Sequence, residues 1–116
     1  MCLLHDIGDT LAPHNHGELA ATVLEPFLAP DLIWITRHQP VFQFSYYGAR
    51  VGVDPNLGDH YREHEYFDAT VEFCERYDEK CFDSAYSSLP LQEFEPVVRK
   101  VLAQPRAEWR GDLAGD

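Results

Sequence analysis

Five side chains with the chemistry of metal ligands lie along the first two thirds of the sequence. They are three imidazoles and two carboxylates: His5, Asp6, His16, His38 and Asp78. This mixture of nitrogen and oxygen donors suits iron, manganese or zinc. His5 and Asp6 are adjacent, so a turn of the backbone there can direct both side chains to one point. Asp6 is the natural bridging ligand, because its two oxygens can each hold one ion.

Asp78 interrupts the apolar stripe of a predicted helix. It follows Val71 and Cys74 at helical spacing and is therefore expected to point inward with them. An inward carboxylate is costly unless a cation or hydrogen bonds compensate it. Asp78 could equally cap a neighbouring helix or pair with Arg76 or Arg37, so a structural role stays open beside the metal role.

The histidines divide into two groups by their surroundings. His38 lies three residues after Ile35 and four before Phe42, on an apolar face where it can be a ligand or an ordinary core residue. His16 lies in the first turn of its own helix and can project into the same cavity. The remaining histidines stand beside loop signals and are predicted to be solvated: His14, His60 and His64.

The elements that must position these residues are all predicted to be helical. Residues 2–6 resemble a last helical turn that Gly8 closes in the left-handed conformation. Asn15 with Glu18 has the form of a capping box for the next helix. Asp31 is the predicted N-cap of another helix, which Pro40 either kinks or ends.

The second half of the sequence continues the helical pattern after a connector over residues 48–58. Helices are predicted over 66–80 and 91–103, and the last carries an apolar stripe at the spacing of a core-facing helix: Phe94, Val97, Val98 and Val101. We therefore predict an all-α fold. Residues 1–104 form one domain, and residues 105–116 form a flexible tail.

Composition limits the partners and the location. The 116 residues carry 9 Lys+Arg against 20 Asp+Glu, for a formal net charge of −11. Such a field repels phosphate backbones and anionic lipid, so nucleic acid and membranes are not expected partners. Three cysteines without close pairing indicate reduced, mostly buried thiols, and we predict a cytoplasmic protein.

The string His5-Asp6-Ile7-Gly8 resembles the signature of the HD superfamily of helical metal-dependent enzymes. The segments NHGELA, RHQPVF and CERYDEKCFD, around His16, His38 and Asp78, follow in that superfamily's order. The resemblance covers about residues 2–103 and implies an HD-type helical bundle. It implies that His5, Asp6 and Asp78 hold a first metal, that His16 and His38 hold a second, and that Asp6 bridges them as the central catalytic residue.

Two departures from the family pattern carry expectations of their own. The family's first metal-ligand histidine normally lies on a helix well upstream of the doublet, and only four residues precede His5 here. We therefore expect a fragment, a truncated product or a helix supplied by another chain. The apolar face left by that helix then predicts self-association.

The second departure is Asp9, at a position where many members carry a basic residue that helps to hold substrate. A carboxylate there suits a cationic or hydroxylated substrate better than an anionic one. A nearby cation could restore affinity for phosphate. We assign substrate binding to Asp9 and Arg37, with Arg50 or Lys80 as further sources of positive charge.

Three functions follow from these observations, each involving a small-molecule substrate or none. The first is metal-dependent hydrolysis of a small phosphorylated substrate at a dinuclear site. The second is a mixed-valent di-iron oxygenase, whose dry cavity residues 42–47 could wall. The third is a truncated, non-catalytic domain. The expected cofactor is a divalent or mixed-valent metal, with iron favoured and manganese or zinc as alternatives.

Overall fold

The computed structural model describes residues 1–85, 87 and 89–106, and over these residues it is all-α with no strand, as predicted. Four α-helices follow one another: α1 (His16–Leu24), α2 (Pro30–Tyr47), α3 (Phe67–Phe73) and α4 (Glu95–Leu102). Shorter 3-10 turns connect them over Gly48–Val51, Leu57–Tyr61, Glu79–Phe82 and Leu91–Glu93. From residue 107 onward, the predicted flexible tail lies outside the described residues.

Helix α2 is the central element, because both apolar clusters of the core form against it. One cluster joins α2 to α3 and to the residue that follows it, through Ile35, Phe42, Phe73 and Cys74. The other joins α2 to α1 through Ala21, Leu24 and Ile33. The chain's first residues reach both clusters, since Met1 packs against the first and Leu4 against the second. These two contacts anchor the segment to the core just before the His-Asp doublet.

The segment before α1 is a series of tight turns rather than the end of a helix. Backbone hydrogen bonds run from the amides of Leu4, Ile7 and Asp9 to carbonyls three residues earlier. The predicted left-handed cap at Gly8 is wrong, because Gly52 is the one residue with positive φ in the described ranges. Gly8 is needed for close packing instead, since a Cβ there would lie 2.9 Å from the His16 carbonyl oxygen.

Two of the predicted helix caps are also wrong. Asn15 precedes α1 but makes no side-chain cap bond, and Glu18 is turned away to accept a 2.9 Å hydrogen bond from Arg37 Nε. Helix α2 begins with Ala29 as its N-cap, and Asp31 lies inside the first turn. A cross-helix ion pair has therefore replaced the local capping box.

Pro40 neither ends nor interrupts α2, which continues to Tyr47. Its ring lies at the crossing with α1, where a Cβ on Gly17 would meet Pro40 Cγ at 2.7 Å and the Arg37 carbonyl oxygen at 2.9 Å. The two helices thus approach so closely that only a glycine fits between them. Because His16 is the neighbouring residue, this crossing also sets where its imidazole lies.

We expect Gly17→Ala to lower the free energy of unfolding by about 1–3 kcal/mol, the usual cost of overpacking a rigid contact. Alanine otherwise favours helix over glycine, so a loss would be diagnostic of the clash. The matched control is Gly58→Ala, where the added Cβ meets the Phe42 ring at an ordinary 3.4 Å. Urea unfolding of both variants checks this, and equal stability of the two would contradict the close crossing.

The predicted 66–80 helix exists, but it changes character partway along. Helix α3 passes into a π-helical turn, Cys74–Asp78, which ends at the candidate ligand. Such widened turns are frequent at functional sites. Cys74 and Asp78 are buried as predicted, whereas Cys81 and Cys2 are exposed, so the expectation of mostly buried thiols is wrong.

Helix α4 forms as predicted, but its apolar stripe is not core. None of its residues is fully buried, and Val97 is 60% exposed. Leu3, Val98 and Leu102 line an open groove on this side of the chain.

Candidate metal centre

His5 lies between two carboxylates. Its Nε2 is 3.2 Å from Asp6 Oδ2 and 3.3 Å from Asp78 Oδ1. The other ring nitrogen, Nδ1, donates a 2.7 Å hydrogen bond to the Cys2 carbonyl oxygen. Because that bond fixes a proton on Nδ1, Nε2 is the ring nitrogen that donates to the two carboxylates when it is protonated and that can bind an ion when it is not. Histidine ligands of metals are commonly oriented in this way.

His16 repeats this arrangement on the other side of Asp6. Its Nδ1 donates a 3.4 Å hydrogen bond to the Pro13 carbonyl, three residues earlier, and its Nε2 is 3.2 Å from Asp6 Oδ1. Each carboxylate oxygen of Asp6 therefore faces a different imidazole. This is the geometry expected of a bridging carboxylate.

Asp78 is the most deeply buried member of the group. Its residue is 7% exposed, and the His5 ring that it contacts packs edge-on against Phe73, with ring centroids 5.3 Å apart. Three donor atoms, one each from His5, Asp6 and Asp78, lie within 4.8 Å of one another. One imidazole and two carboxylates fit a first-row divalent ion.

The charges of the group are strongly coupled. Burial by itself would lower the pKa of His5, but the hydrogen bonds to Asp6 and Asp78 outweigh it and raise that pKa to about 10. The bond from His5 in turn lowers the pKa of Asp6. Without a metal, a proton therefore holds the two carboxylates together, and an ion must displace it.

A cavity of about 670 Å³ opens beside the cluster. Four carboxylates line it, from Asp6, Asp9, Asp78 and Glu79, and Arg50 is the single Lys or Arg among the described residues of the lining. Burial and the charge of Asp78 raise the pKa of Glu79, while Arg50 opposes that shift, so the guanidinium lies close to this end of the cavity. The described residues that line this cavity therefore give it a strongly negative charge.

The structure brings together four of the five predicted ligands. His38 lies in a separate aromatic cluster, where its Nδ1 donates to the Trp34 carbonyl at 2.8 Å and its ring stacks on the Trp34 indole at 3.9 Å. His64 stacks on the same indole at 4.1 Å, so the prediction that it is solvated is wrong. His14 and His60 are exposed, as predicted.

The residue through which helix α2 contacts the candidate centre is Gln39, and not the predicted His38. This glutamine is 1% exposed, and its Nε2 donates to Asp6 Oδ1 at 3.4 Å. The sequence contained a usable signal, because Ile35, Gln39 and Phe42 also follow helical spacing.

The two predicted substrate-binding residues lie in different places. Asp9 lines the cavity, with its carboxylate 3.8 Å from His16 Nδ1. Arg37 pairs with Glu18 and lines a separate, smaller cavity beside Leu28. Arg50, which the sequence offered as a further source of positive charge, is among the residues that line the larger cavity.

Comparison with known proteins finds no family model, no curated protein and no solved structure that matches this chain. Fold and donor groups thus define the class by themselves: an all-α domain with a histidine–carboxylate cluster at a polar cavity. No helix in the described part of the chain has both the length and the apolar character that crossing a membrane requires.

The ligand role of His38 remains a prediction that two matched variants test. We expect His16→Ala to weaken Mn²⁺ binding about 10-fold or more, since it removes a group bonded to Asp6. We expect His38→Ala to change the affinity by less than about twofold, because it acts at a separate cluster. Calorimetric titration with Mn²⁺ measures both, and an equal loss in the two variants would place His38 at the metal.

Proposed function

We propose that this chain is a metal-dependent hydrolase of a small phosphorylated substrate, with an HD-type ligand set. The observation that carries the proposal is the orientation of His5, whose Nδ1 is bonded to a backbone carbonyl while Nε2 faces Asp6 and Asp78. These three residues would hold the first ion. Asp6 and His16 would contribute to a second, more weakly held ion, because the structure supplies no further imidazole there from the described part of α2.

A bound divalent ion in such a site polarises a phosphoryl oxygen and lowers the pKa of a coordinated water. The side chains of the protein orient the ligands and bind the substrate. Asp6 orients both imidazoles, and the bond of His16 Nδ1 to the Pro13 carbonyl leaves Nε2 free to help hold the second ion. Arg50 supplies the positive charge for a phosphoryl oxygen that Asp9 does not.

The negative charge of the cavity requires that the metal bind before a phosphorylated substrate. Among the described residues that line the cavity, four carboxylates face one guanidinium, so a phosphate dianion is repelled from the metal-free protein. One divalent ion reduces this negative charge, and a second reverses its sign. We therefore expect phosphate to bind only to the metal-loaded protein.

The experiment is elemental analysis of protein purified without chelator, followed by an assay of phosphate monoesters with Mn²⁺ and with EDTA. Turnover that EDTA abolishes and Mn²⁺ restores supports the proposal. Oxygen consumption by an iron-loaded sample without phosphate release would favour the di-iron oxygenase. A folded sample that binds no metal at all would overturn the proposal and favour a non-catalytic domain.

A further inference from the structure

The α2 wall of the cavity carries two buried amides, one helical turn apart. Gln39 and Gln43 are 1% and 8% exposed, and both line the cavity. Around them α2 buries apolar side chains such as Ile35 and Phe42. An amide in such surroundings is costly to bury unless it is hydrogen-bonded.

The two amides differ in their partners. Gln39 donates to Asp6, whereas the Gln43 side chain makes no hydrogen bond to any other residue that the structure describes. No described side-chain nitrogen or oxygen is both fully buried and unpaired. The Gln43 amide therefore opens into the cavity, where its donor and its acceptor are both available to a bound molecule.

Polar groups continue along the same wall. Tyr47 and Arg50 follow Gln43 at spacings of four and seven residues, and both line the cavity. Burial and the nearby carboxylates, Glu79 foremost, raise the pKa of Tyr47, so its hydroxyl remains a donor. A cation at one end and an amide and a phenol along the wall suit a molecule with one anionic group and at least one hydroxyl.

We propose that Gln43 recognises a hydroxyl on the organic part of the substrate, and that the site selects phosphate monoesters of small hydroxylated molecules. This inference rests on the proposed function, because it assumes that the phosphoryl group binds at the metal beside Arg50. A hydroxyl both donates and accepts, so it can satisfy both polar atoms of the Gln43 amide. An alkyl ester would displace water from that amide and leave it unpaired, which disfavours binding.

The test compares two probes that differ only in hydroxyl groups, glycerol 3-phosphate and propyl phosphate. Calorimetry on the Mn²⁺-loaded full chain should show glycerol 3-phosphate binding about 10-fold more tightly. Gln43→Leu should abolish this preference without changing the affinity for Mn²⁺. Propyl phosphate should bind the variant at least as tightly as the parent, because the amide that it leaves unpaired is gone. Gln43→Met serves if the leucine variant does not fold, and Gln104→Leu, at an exposed glutamine, should keep the preference.

The outcomes separate this inference from the function on which it rests. If both phosphates bind the wild-type protein equally well, the role of Gln43 is overturned and the hydrolase proposal stands. If the preference survives in Gln43→Leu and Gln43→Met, the hydroxyl is recognised elsewhere and the assignment is wrong. If neither phosphate binds to protein that holds Mn²⁺, the hydrolase proposal falls as well.

Discussion

Asp6→Asn should abolish metal binding while leaving the fold intact. Asparagine keeps the shape of the side chain but removes the charge that faces both imidazoles, 3.2 Å from each. Loss of a single outer partner of a metal ligand already costs about 10–100-fold in affinity, so loss of the bridging ligand should cost at least about 100-fold. Elemental analysis and calorimetric titration with Mn²⁺ measure this directly.

The control for Asp6→Asn is Asp68→Asn, which removes the same charge from an exposed position in the first turn of α3. It should bind Mn²⁺ like the parent, since the position lies outside the cavity lining. Thermal melts of both metal-free variants establish that each is folded. Mn²⁺ binding by Asp6→Asn at the parent's affinity would show that the doublet is a structural ion pair and not a metal site.

The helices could be predicted from the sequence because their signals are local. Apolar spacing located α4, and it also predicted that Asp78 points inward on the helix that begins as α3. The caps failed because they depend on partners far away in the sequence. Glu18 accepts a hydrogen bond from Arg37 across the α1–α2 crossing. Gly8 is required because a side chain there would clash with the His16 carbonyl oxygen in α1. No local pattern contains those contacts.

The choice between His38 and Gln39 shows where spacing reaches its limit. From Ile35 to Phe42, a helix can place either residue 38 or residue 39 on the shared face, since both spacings fit about 3.6 residues per turn. Histidine is a common metal ligand, so His38 was the predicted one. In the structure Gln39 is buried beside the candidate centre, and His38 stacks on Trp34. The rotation of α2 is fixed by both of its neighbours together, and one helix pattern does not encode it.

The residues that line the cavity could not be predicted either, because they too depend on how α2 packs against its neighbours. In the oxygenase alternative the run over residues 42–47 could wall a dry cavity, but its members divide between two environments. Phe42 belongs to the core cluster with α3, whereas Gln43, Tyr46 and Tyr47 line the cavity. Arg50 joins them only because a 3-10 turn follows α2 without a break.

The metal-free protein should lose stability as the pH rises from 7 to 9. His5 has a pKa of about 10 in the folded chain and its ordinary value of 6.5 when unfolded. Its contribution is fully present below pH 6.5 and is lost as the pH rises through 10, because the folded state then gives up a proton that it had held. At about 1.4 kcal/mol per pH unit, the window from 7 to 9 costs roughly 2–3 kcal/mol.

Metal should reverse this dependence over the same window. An ion needs the unprotonated Nε2 of His5, so the apparent affinity for Mn²⁺ should rise by up to about tenfold per pH unit. Urea unfolding at pH 7, 8 and 9, with EDTA and with Mn²⁺, separates the two trends. Cys74 adds only a small loss of the same sign at the top of this window, because burial raises its pKa from 9 to about 12 and the unfolded thiol is only half ionised at pH 9.

Asp78→Asn is the variant that links this pH dependence to the cluster. It removes one of the two carboxylates that hold the proton on His5, so the loss of stability between pH 7 and 9 should become smaller. The same substitution should weaken Mn²⁺ binding, because the first ion loses a charged ligand. A metal-free stability that does not change from pH 7 to 9 in the parent would show that His5 is neutral. In that case an ion would bind without displacing a proton.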